Sequence, residues 1–128
     1  MAIKTLTDLD DKKFDGRRVL VRVDFNVSIC NGTVGEDYRI RMTIPTIEYL
    51  TKRGAKVILA SHLGRPDGRD LEYTLAPVAK RLSEIVGRKM TVRFAGDCVG
   101  PAVGSEVAKM NRGDILLLEN LRFYKEEE

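Results

Sequence analysis

The sequence lacks tryptophan and has no apolar run that approaches the roughly 20 residues a membrane-spanning helix requires. These absences exclude a helical membrane protein, and we expect a soluble chain. The first six residues have neither the basic nor the apolar segment of a secretory signal, which predicts a cytoplasmic location.

Cysteine is scarce, and several catalytic motifs are missing. Cys30 and Cys98 lie far apart without a C-x-x-C partner, which suits neither a zinc site nor a redox pair, so we interpret both as structural thiols. The P-loop, the dinucleotide fingerprint, the zinc-protease motif and the nucleophile elbow do not occur. The sequence therefore predicts no metal site, no hydrolase and no nucleotide or cofactor bound by this chain alone.

The charge is mildly basic, with a formal net value of +3. Such a surface favours anionic ligands without selecting one of them. The basic residues are scattered, aromatic residues do not alternate with them, and no nucleic-acid-binding signature is present. We therefore expect small phosphorylated ligands rather than nucleic acid.

Short apolar runs predict the strands of a parallel sheet. Residues 19–23, 57–60 and 115–118 lack strict alternation, which is typical of strands buried on both faces, and residues 90–94 form a weaker fourth candidate. Helical patterns lie between these runs. The alternation predicts an α/β fold with a parallel sheet and helices on both faces, a Rossmann-like three-layer arrangement.

Apolar spacing predicts three helices. The first carries apolar residues three or four positions apart: Ile40, Ile44, Ile47 and Leu50. It ends at Gly54, and Pro45 predicts either a kink or a restarted helix. The second begins after a Thr74 cap and ends at Gly87. A third, around residues 105–110, is less regular because glycine and proline crowd its start.

Polar residues follow each predicted strand. Ligands of parallel α/β sheets bind at the carboxyl ends of the strands, where these residues would lie. Asp24 and Asn26 follow the first strand, His62 and Arg65 the second, and Arg122 the last. Asp24 and Asn26 could hold the hydroxyl and carboxylate end of a small acid, and the cationic residues could hold its phosphate.

Arg39 stands at the predicted start of the first helix, where the helix dipole disfavours a cation unless an anion is near. This placement indicates a bound anion, shared with Arg65 and Arg122. Structural alternatives remain open: solvated arginines, a capping role for His62, and turn chemistry for Asp24 and Asn26. We interpret five other arginines as surface charge: Arg17, Arg18, Arg41, Arg53 and Arg81.

Three motifs resemble those of phosphoglycerate kinase. They are RVDFNV at residues 22–27, SHLGRP at 61–66 and LLENLRF at 117–123, in that order, and the similarity extends over essentially the whole chain. The resemblance implies that residues 1–128 form an incomplete N-terminal, substrate-binding domain and that the C-terminal nucleotide-binding domain is absent. It also implies that Mg-ATP or Mg-ADP binds to that absent domain.

The resemblance implies an enzyme of glycolysis as the parent. Such a phosphotransferase moves a phosphoryl group reversibly from 1,3-bisphosphoglycerate to ADP, giving 3-phosphoglycerate and ATP, whereas this chain alone would at best bind substrate. By position, Asp24 and Asn26 would hold the hydroxyl and carboxyl end. His62, Arg65 and Arg122 would hold the non-transferring phosphate. Arg39 would reach the transferring group and is the predicted catalytic residue.

Two departures from the family are expected to matter. Ser28 replaces a usual proline, which predicts a less rigid loop, and Tyr38 replaces a usual threonine beside Arg39, which could change how that arginine is aimed. The resemblance implies that the strand which pairs with residues 19–23 in the complete domain is absent, which leaves this edge unpaired. We therefore expect this chain to be destabilised or self-associating, although the parent is expected to be monomeric. The alternative function is a non-catalytic module that binds phosphorylated metabolites. We expect this chain to have neither a membrane nor a nucleic acid as a partner.

Overall fold

The computed structural model describes residues 14–64, 73–97 and 100–121, and every structural statement below concerns these residues. Four parallel strands form the main sheet: β1 (Arg18–Arg22), β4 (Lys56–Ala60), β5 (Val92–Phe94) and β6 (Ile115–Leu117). Their order across the sheet is β1-β4-β6-β5. A small antiparallel hairpin, β2 (Ile29–Cys30) with β3 (Thr33–Val34), follows β1. The predicted parallel sheet is confirmed.

Helices cover both faces of this sheet, as predicted. Three α-helices alternate with the strands: α1 (Tyr38–Lys52), α2 (Ala76–Val86) and α3 (Pro101–Ala108). On one face, α1 and α2 pack on side chains such as Val57 and Leu117, and on the other, α3 packs around Leu116. None of the helices in the described ranges is long and apolar enough to span a membrane.

The first strand differs from the prediction that it is buried on both faces. All of β6 is buried, but β1 alternates between exposed and half-buried residues. Val19 and Val21 pack on the cluster under α1 and α2, whereas Leu20, on the opposite face, is 67% exposed. The reason is position, since β1 is an edge strand paired only with β4 in the described part of the chain. The expected open edge is therefore present there.

Helix ends agree with the sequence in some places and not in others. α1 runs through Pro45 without a break, so the alternative of a restarted helix is wrong. Past its end, Gly54 has a φ of +80°, a conformation that favours glycine, and a Cβ there would also displace the carboxylate of Asp15, whose Oδ1 would lie 2.5 Å away. Gly87, with a φ of +65°, ends α2 as predicted. α3 begins at Pro101 and not near residue 105, because proline fits a first helical turn, where no amide donor is needed.

The β2–β3 hairpin was not predicted, although the sequence contains its signal. Asn31 and Gly32 connect the two strands with φ values of 53° and 73°. Left-handed conformations at both central residues define the two-residue turn for which Asn-Gly is the preferred pair. Cys30, in β2, is exposed and forms no disulfide.

The row of side chains facing α3 allows a matched test of burial. Leu20, Ile58 and Leu116 are partners across three adjacent strands, yet Leu116 is fully buried and Leu20 is mostly exposed. We expect Leu116→Ala to lower the free energy of unfolding by about 2–5 kcal/mol, and Leu20→Ala by less than about 0.5 kcal/mol. Urea denaturation followed by circular dichroism measures both. Equal losses would show that the α3 face is not the packed face.

Candidate functional site

Ser61 joins the carboxyl ends of three strands. Its hydroxyl accepts a hydrogen bond from the amide of Phe25 at 3.0 Å and donates one to the carbonyl of His62 at 3.0 Å. Its carbonyl accepts from the amide of Leu121 at 3.0 Å. Ser61 is fully buried, so these bonds are shielded from water. The loops after β1, β4 and β6 therefore meet at one edge of the sheet.

Asn26 presents one half of its amide to the protein and the other half to solvent. Its Oδ1 accepts a hydrogen bond from the amide of Gly64 at 2.9 Å, which joins the loop after β1 to the loop after β4. No described residue accepts a hydrogen bond from its Nδ2. A cavity of about 160 Å³ adjoins it, lined by Asn26, Val27, Ile29, Leu63, Gly64 and Tyr73. The Nδ2 group is thus available as a donor to a ligand.

Arg39 reaches from the first turn of α1 to the loop after β1. Its Nη1 donates to Oδ1 of Asp24 at 3.1 Å and to the carbonyl of Asn26 at 2.9 Å. The anion that the helix dipole requires near Arg39 is therefore supplied by Asp24, and no bound ion is needed to explain the placement. The side chains of Arg39 and Asp24 are 50% and 62% exposed, so their pair stabilises the fold by only about 0–1 kcal/mol. The other guanidinium N–H groups of Arg39 have no partner in the described ranges.

His62 lies in the same loop as Gly64 and is half-buried, two residues after the end of β4. The structure thus brings Asp24, Asn26, Arg39 and the His62 loop together at the carboxyl edge. Arg65 and Arg122, the other two predicted phosphate ligands, lie outside the described residues, as does Cys98. Their predicted roles stay predictions.

Cavity size alone would not locate this site. A larger cavity, of about 480 Å³, lies at the opposite, amino-terminal edge of the sheet, and its lining includes Lys52, Lys89 and Arg112. Within the described ranges, no cluster of three or more histidine, cysteine, aspartate or glutamate side chains could hold a metal ion. What distinguishes the smaller site is the meeting of three strand ends with unpaired donors.

Glu119 is a buried carboxylate whose role the sequence did not reveal. Its Oε1 accepts hydrogen bonds from the amides of Leu75 and Asn120, both at 2.8 Å, and Oε2 accepts one from the hydroxyl of Thr74. Leu75 occupies the N-cap position of α2, which has no side-chain cap of its own, while the Thr74 hydroxyl accepts from the amide of Ala76 at 3.3 Å. The predicted Thr74 cap is therefore only part of an arrangement centred on Glu119.

Asn120 fixes the chain on both sides of the segment that follows His62. Its Nδ2 donates to the carbonyls of Leu63 and Tyr73 at 2.8 and 2.9 Å, and its Oδ1 accepts from the amide of Leu63 at 3.2 Å. The side chain is fully buried. One amide thereby holds the two ends of residues 63–73 against β6, which positions the loop that carries His62 and Gly64.

Arg81 and Arg53, which we interpret as surface charge, are half-buried and have specific partners. Arg81, on α2, donates from Nε and Nη2 to Oδ2 of Asp37 at 2.9 and 2.7 Å, and its side chain is only 34% exposed. Arg53 stacks 3.5 Å above the ring of Tyr49. Arg41 is exposed, as expected, but donates to Oδ1 of Asp37 at 3.0 Å. The Arg41 guanidinium, and then that of Arg81, hold the pKa of the Asp37 carboxyl below its usual value.

We expect the buried Glu119 carboxylate to stabilise the site through the groups it satisfies. Glu119→Ala leaves the amides of Leu75 and Asn120 without their acceptor and should lower the free energy of unfolding by about 2–4 kcal/mol. Glu119→Gln keeps an acceptor in the position of Oε1 and should lower it by about 1 kcal/mol or less. Urea denaturation of both variants is the measurement, and equal destabilisation would contradict this account.

Asp37 predicts a pH-dependent stability difference. Because its pKa is lowered in the folded state, ionised Asp37 contributes stability that is present above its ordinary pKa of 3.8 and is lost as the pH falls through the lower folded-state pKa. The urea midpoint of the wild-type chain should therefore exceed that of Asp37→Asn at neutral pH, and the two should converge as the pH falls below about 4. A difference that is constant from neutral to acidic pH would contradict the assignment.

Known proteins resemble this chain in sequence and in fold. The sequence model of the family described as phosphoglycerate kinase matches residues 9–128. Phosphoglycerate kinases from Dictyoglomus turgidum and Borrelia turicatae are 56% and 57% identical to it, over all of this chain and 32% of their own length. The crystal structure of phosphoglycerate kinase from Pyrococcus horikoshii superposes with a TM-score of 0.82 at 32% identity, covering 98% of this chain and 29% of that one.

The chain therefore spans about a third of the length of the curated relatives it matches. The match of the family model covers nearly every residue and includes all three motifs that surround the site described above. These findings together establish that the chain belongs to the phosphoglycerate kinase family.

Proposed function

We propose that this chain is part of the N-terminal, substrate-binding domain of a cytoplasmic phosphoglycerate kinase, with residues 1–128 forming that part. In this proposal it binds 3-phosphoglycerate or 1,3-bisphosphoglycerate, and Mg-ATP or Mg-ADP is bound by a domain outside these residues. The supporting observation is the convergence of Asp24, Asn26 and Arg39 with the His62 loop at the carboxyl edge of the sheet.

The arrangement of donors fits a small acid with a phosphate. The available Nδ2 of Asn26 can donate to a carboxylate oxygen, and the carboxylate of Asp24 can accept from a neighbouring hydroxyl. Arg39 retains N–H groups that can reach a second anionic group. His62, Arg65 and Arg122 are proposed to hold the phosphate that does not react. The site would therefore bind the ligand through both its carboxylate end and its phosphate end.

The proposed reaction needs charge neutralisation more than proton transfer. A carboxylate oxygen of 3-phosphoglycerate would form a bond to the γ-phosphorus of ATP while the bond from that phosphorus to ADP breaks. The carboxylate is already ionised at neutral pH, so no general base is required. Arg39 would stabilise the negative charge on the equatorial oxygens of the phosphoryl group, and magnesium, bound with the nucleotide outside this chain, would neutralise more of that charge.

An isosteric variant tests the role of Asn26. Asn26→Asp keeps an oxygen that can accept from Gly64 but replaces the Nδ2 donor by a negatively charged oxygen. Loss of one charged hydrogen bond, together with repulsion, should weaken binding of 3-phosphoglycerate at least ~10- to 100-fold. Isothermal titration calorimetry of the 128-residue chain measures this effect.

A matched control uses the other end of the sheet. Arg112 pairs with Asp15 at 3.0 Å and is 67% exposed, much as Arg39 pairs with Asp24, but it lies at the amino-terminal edge. Arg112→Ala should leave the affinity unchanged. Unchanged affinity of Asn26→Asp would overturn the proposed site. Equally tight binding of glycerol 3-phosphate, which lacks the carboxylate, would favour the alternative of a general module for phosphorylated metabolites.

A further inference from the structure

The start of α1 is joined to α2 by a charged contact outside the proposed substrate site. Asp37 immediately precedes α1, and both Nε and Nη2 of Arg81, on α2, donate to its Oδ2. The side chains of Asp37 and Arg81 are 21% and 34% exposed, so this pair is better shielded from water than the pair of Arg39 with Asp24. The shielding favours a fixed geometry over a fluctuating one.

Asp37 is not used in the way that aspartate at this position usually is. Aspartate at an N-cap normally accepts hydrogen bonds from the amides of its own helix, which stabilises the first turn. Here Asp37 makes no side-chain cap bond to α1, whose first amide, that of Tyr38, donates to Oε1 of Glu36 at 2.9 Å instead. The carboxylate is committed instead to Arg81 and Arg41. Asp37 therefore connects α1 with α2 and does not cap its own helix.

The first turn of α1 is the element that carries Arg39. Deeper in the helix, Ile47 and Leu50 are fully buried and fix its later turns in the core. At the start, Ile40 gives a core contact, and the pair of Asp37 with Arg81 gives the lateral one. Arg39 lies two residues after Asp37, and its guanidinium reaches Asp24 and Asn26 from this turn. Rotation of the turn would move the guanidinium.

We propose that Asp37 and Arg81 are positioning residues, which act through Arg39 by holding the first turn of α1 so that its guanidinium faces the transferring phosphoryl group. This inference rests on the proposed function. Neither residue is proposed to touch the ligand. Their effect should accordingly be confined to ligands that engage Arg39.

Two ligands separate a positioning role from general stability. 3-Phosphoglycerate lacks the transferring group, whereas a non-hydrolysable bisphosphonate analogue of 1,3-bisphosphoglycerate carries a mimic of it. The ratio of the two dissociation constants, measured by calorimetry on the 128-residue chain, reports the contribution of Arg39. We expect Arg39→Met to reduce the preference for the analogue ~10-fold or more. Arg81→Met should reduce it by roughly 3- to 10-fold, with little change for 3-phosphoglycerate.

Further variants make the test specific. Arg81→Lys retains the charge but not the planar donor pair, so it should restore the preference only in part. In the Arg39→Met background, Arg81→Met should cause no further loss, because the two residues act in series. Arg112→Met, which removes an exposed arginine paired with Asp15 at the other edge, is the matched control and should change neither constant.

A second readout does not depend on ligand. The Nε–H group of Arg39 should give an ordered signal in the ¹⁵N nuclear Overhauser effect of the wild-type chain and a mobile one in Arg81→Met. If the wild type binds and Arg81→Met leaves both the preference and the Arg39 signal unchanged, the positioning role is overturned while the proposed function stands. If the wild type binds neither ligand, the proposed function is overturned and with it the role in phosphoryl positioning, and the Arg39 signal still decides whether Arg81 orders that side chain.

Discussion

The site depends on one constraint: backbone groups that emerge from buried parallel strands need hydrogen-bond partners where the strands end. Inside the sheet, neighbouring strands supply them, but beyond Ala60 and Leu117 the ladder stops while the chain remains buried. Three buried polar side chains replace the missing strand partners: Ser61, Glu119 and Asn120. The hydrogen bonds of Ser61 and Asn120 place the loops after β1, β4 and β6 beside one another, and those of Glu119 join the loop after β6 to the start of α2.

The buried polar residues hold the loops in place, whereas exposed residues carry the groups that could bind a ligand. Both polar atoms of the Asn120 side chain are used within the protein, so this side chain is committed to holding the loops. Asn26 and Arg39 are exposed, and each uses part of its hydrogen-bonding capacity on the protein and leaves part available. A side chain that is half committed in this way is already oriented, so a ligand loses less conformational entropy in ordering it. The exposed residues are oriented because the buried ones hold their loops.

Local patterns predicted the parts of this structure that depend on local physics. The apolar runs of β4 and β6 and the apolar stripe of α2 were recognisable because the spacing of apolar residues indicates which faces are buried. The exposure of Leu20 was not recognisable, since it follows from the place of β1 at the edge of the sheet. The turn at Asn31 and Gly32 did carry a local signal that was missed.

The site residues also differed in how far local sequence patterns could predict their positions and roles. Strand ends in a parallel sheet predicted where Asp24, Asn26 and His62 would meet, and family resemblance suggested what they would do. Arg81 could not be distinguished from a solvated arginine, because its partner Asp37 lies 44 positions away and only helix packing brings them together. Glu119 lies in the LLENLRF motif, but its acceptor role required knowing that Leu75 would lie beside it.

The pair of Arg39 with Asp24 links these observations to the proposed function. Its two members are largely exposed, so little stability depends on it, and a phosphoryl group with more negative charge could compete with Asp24 for the same guanidinium. A strong, buried pair would resist that exchange, and a free arginine would lose more side-chain entropy on ordering. The pair of Arg39 with Asp24 is weak, and the helix turn that carries Arg39 is held from the side by Asp37 and Arg81. The guanidinium is therefore oriented, yet it can exchange Asp24 for an anionic ligand.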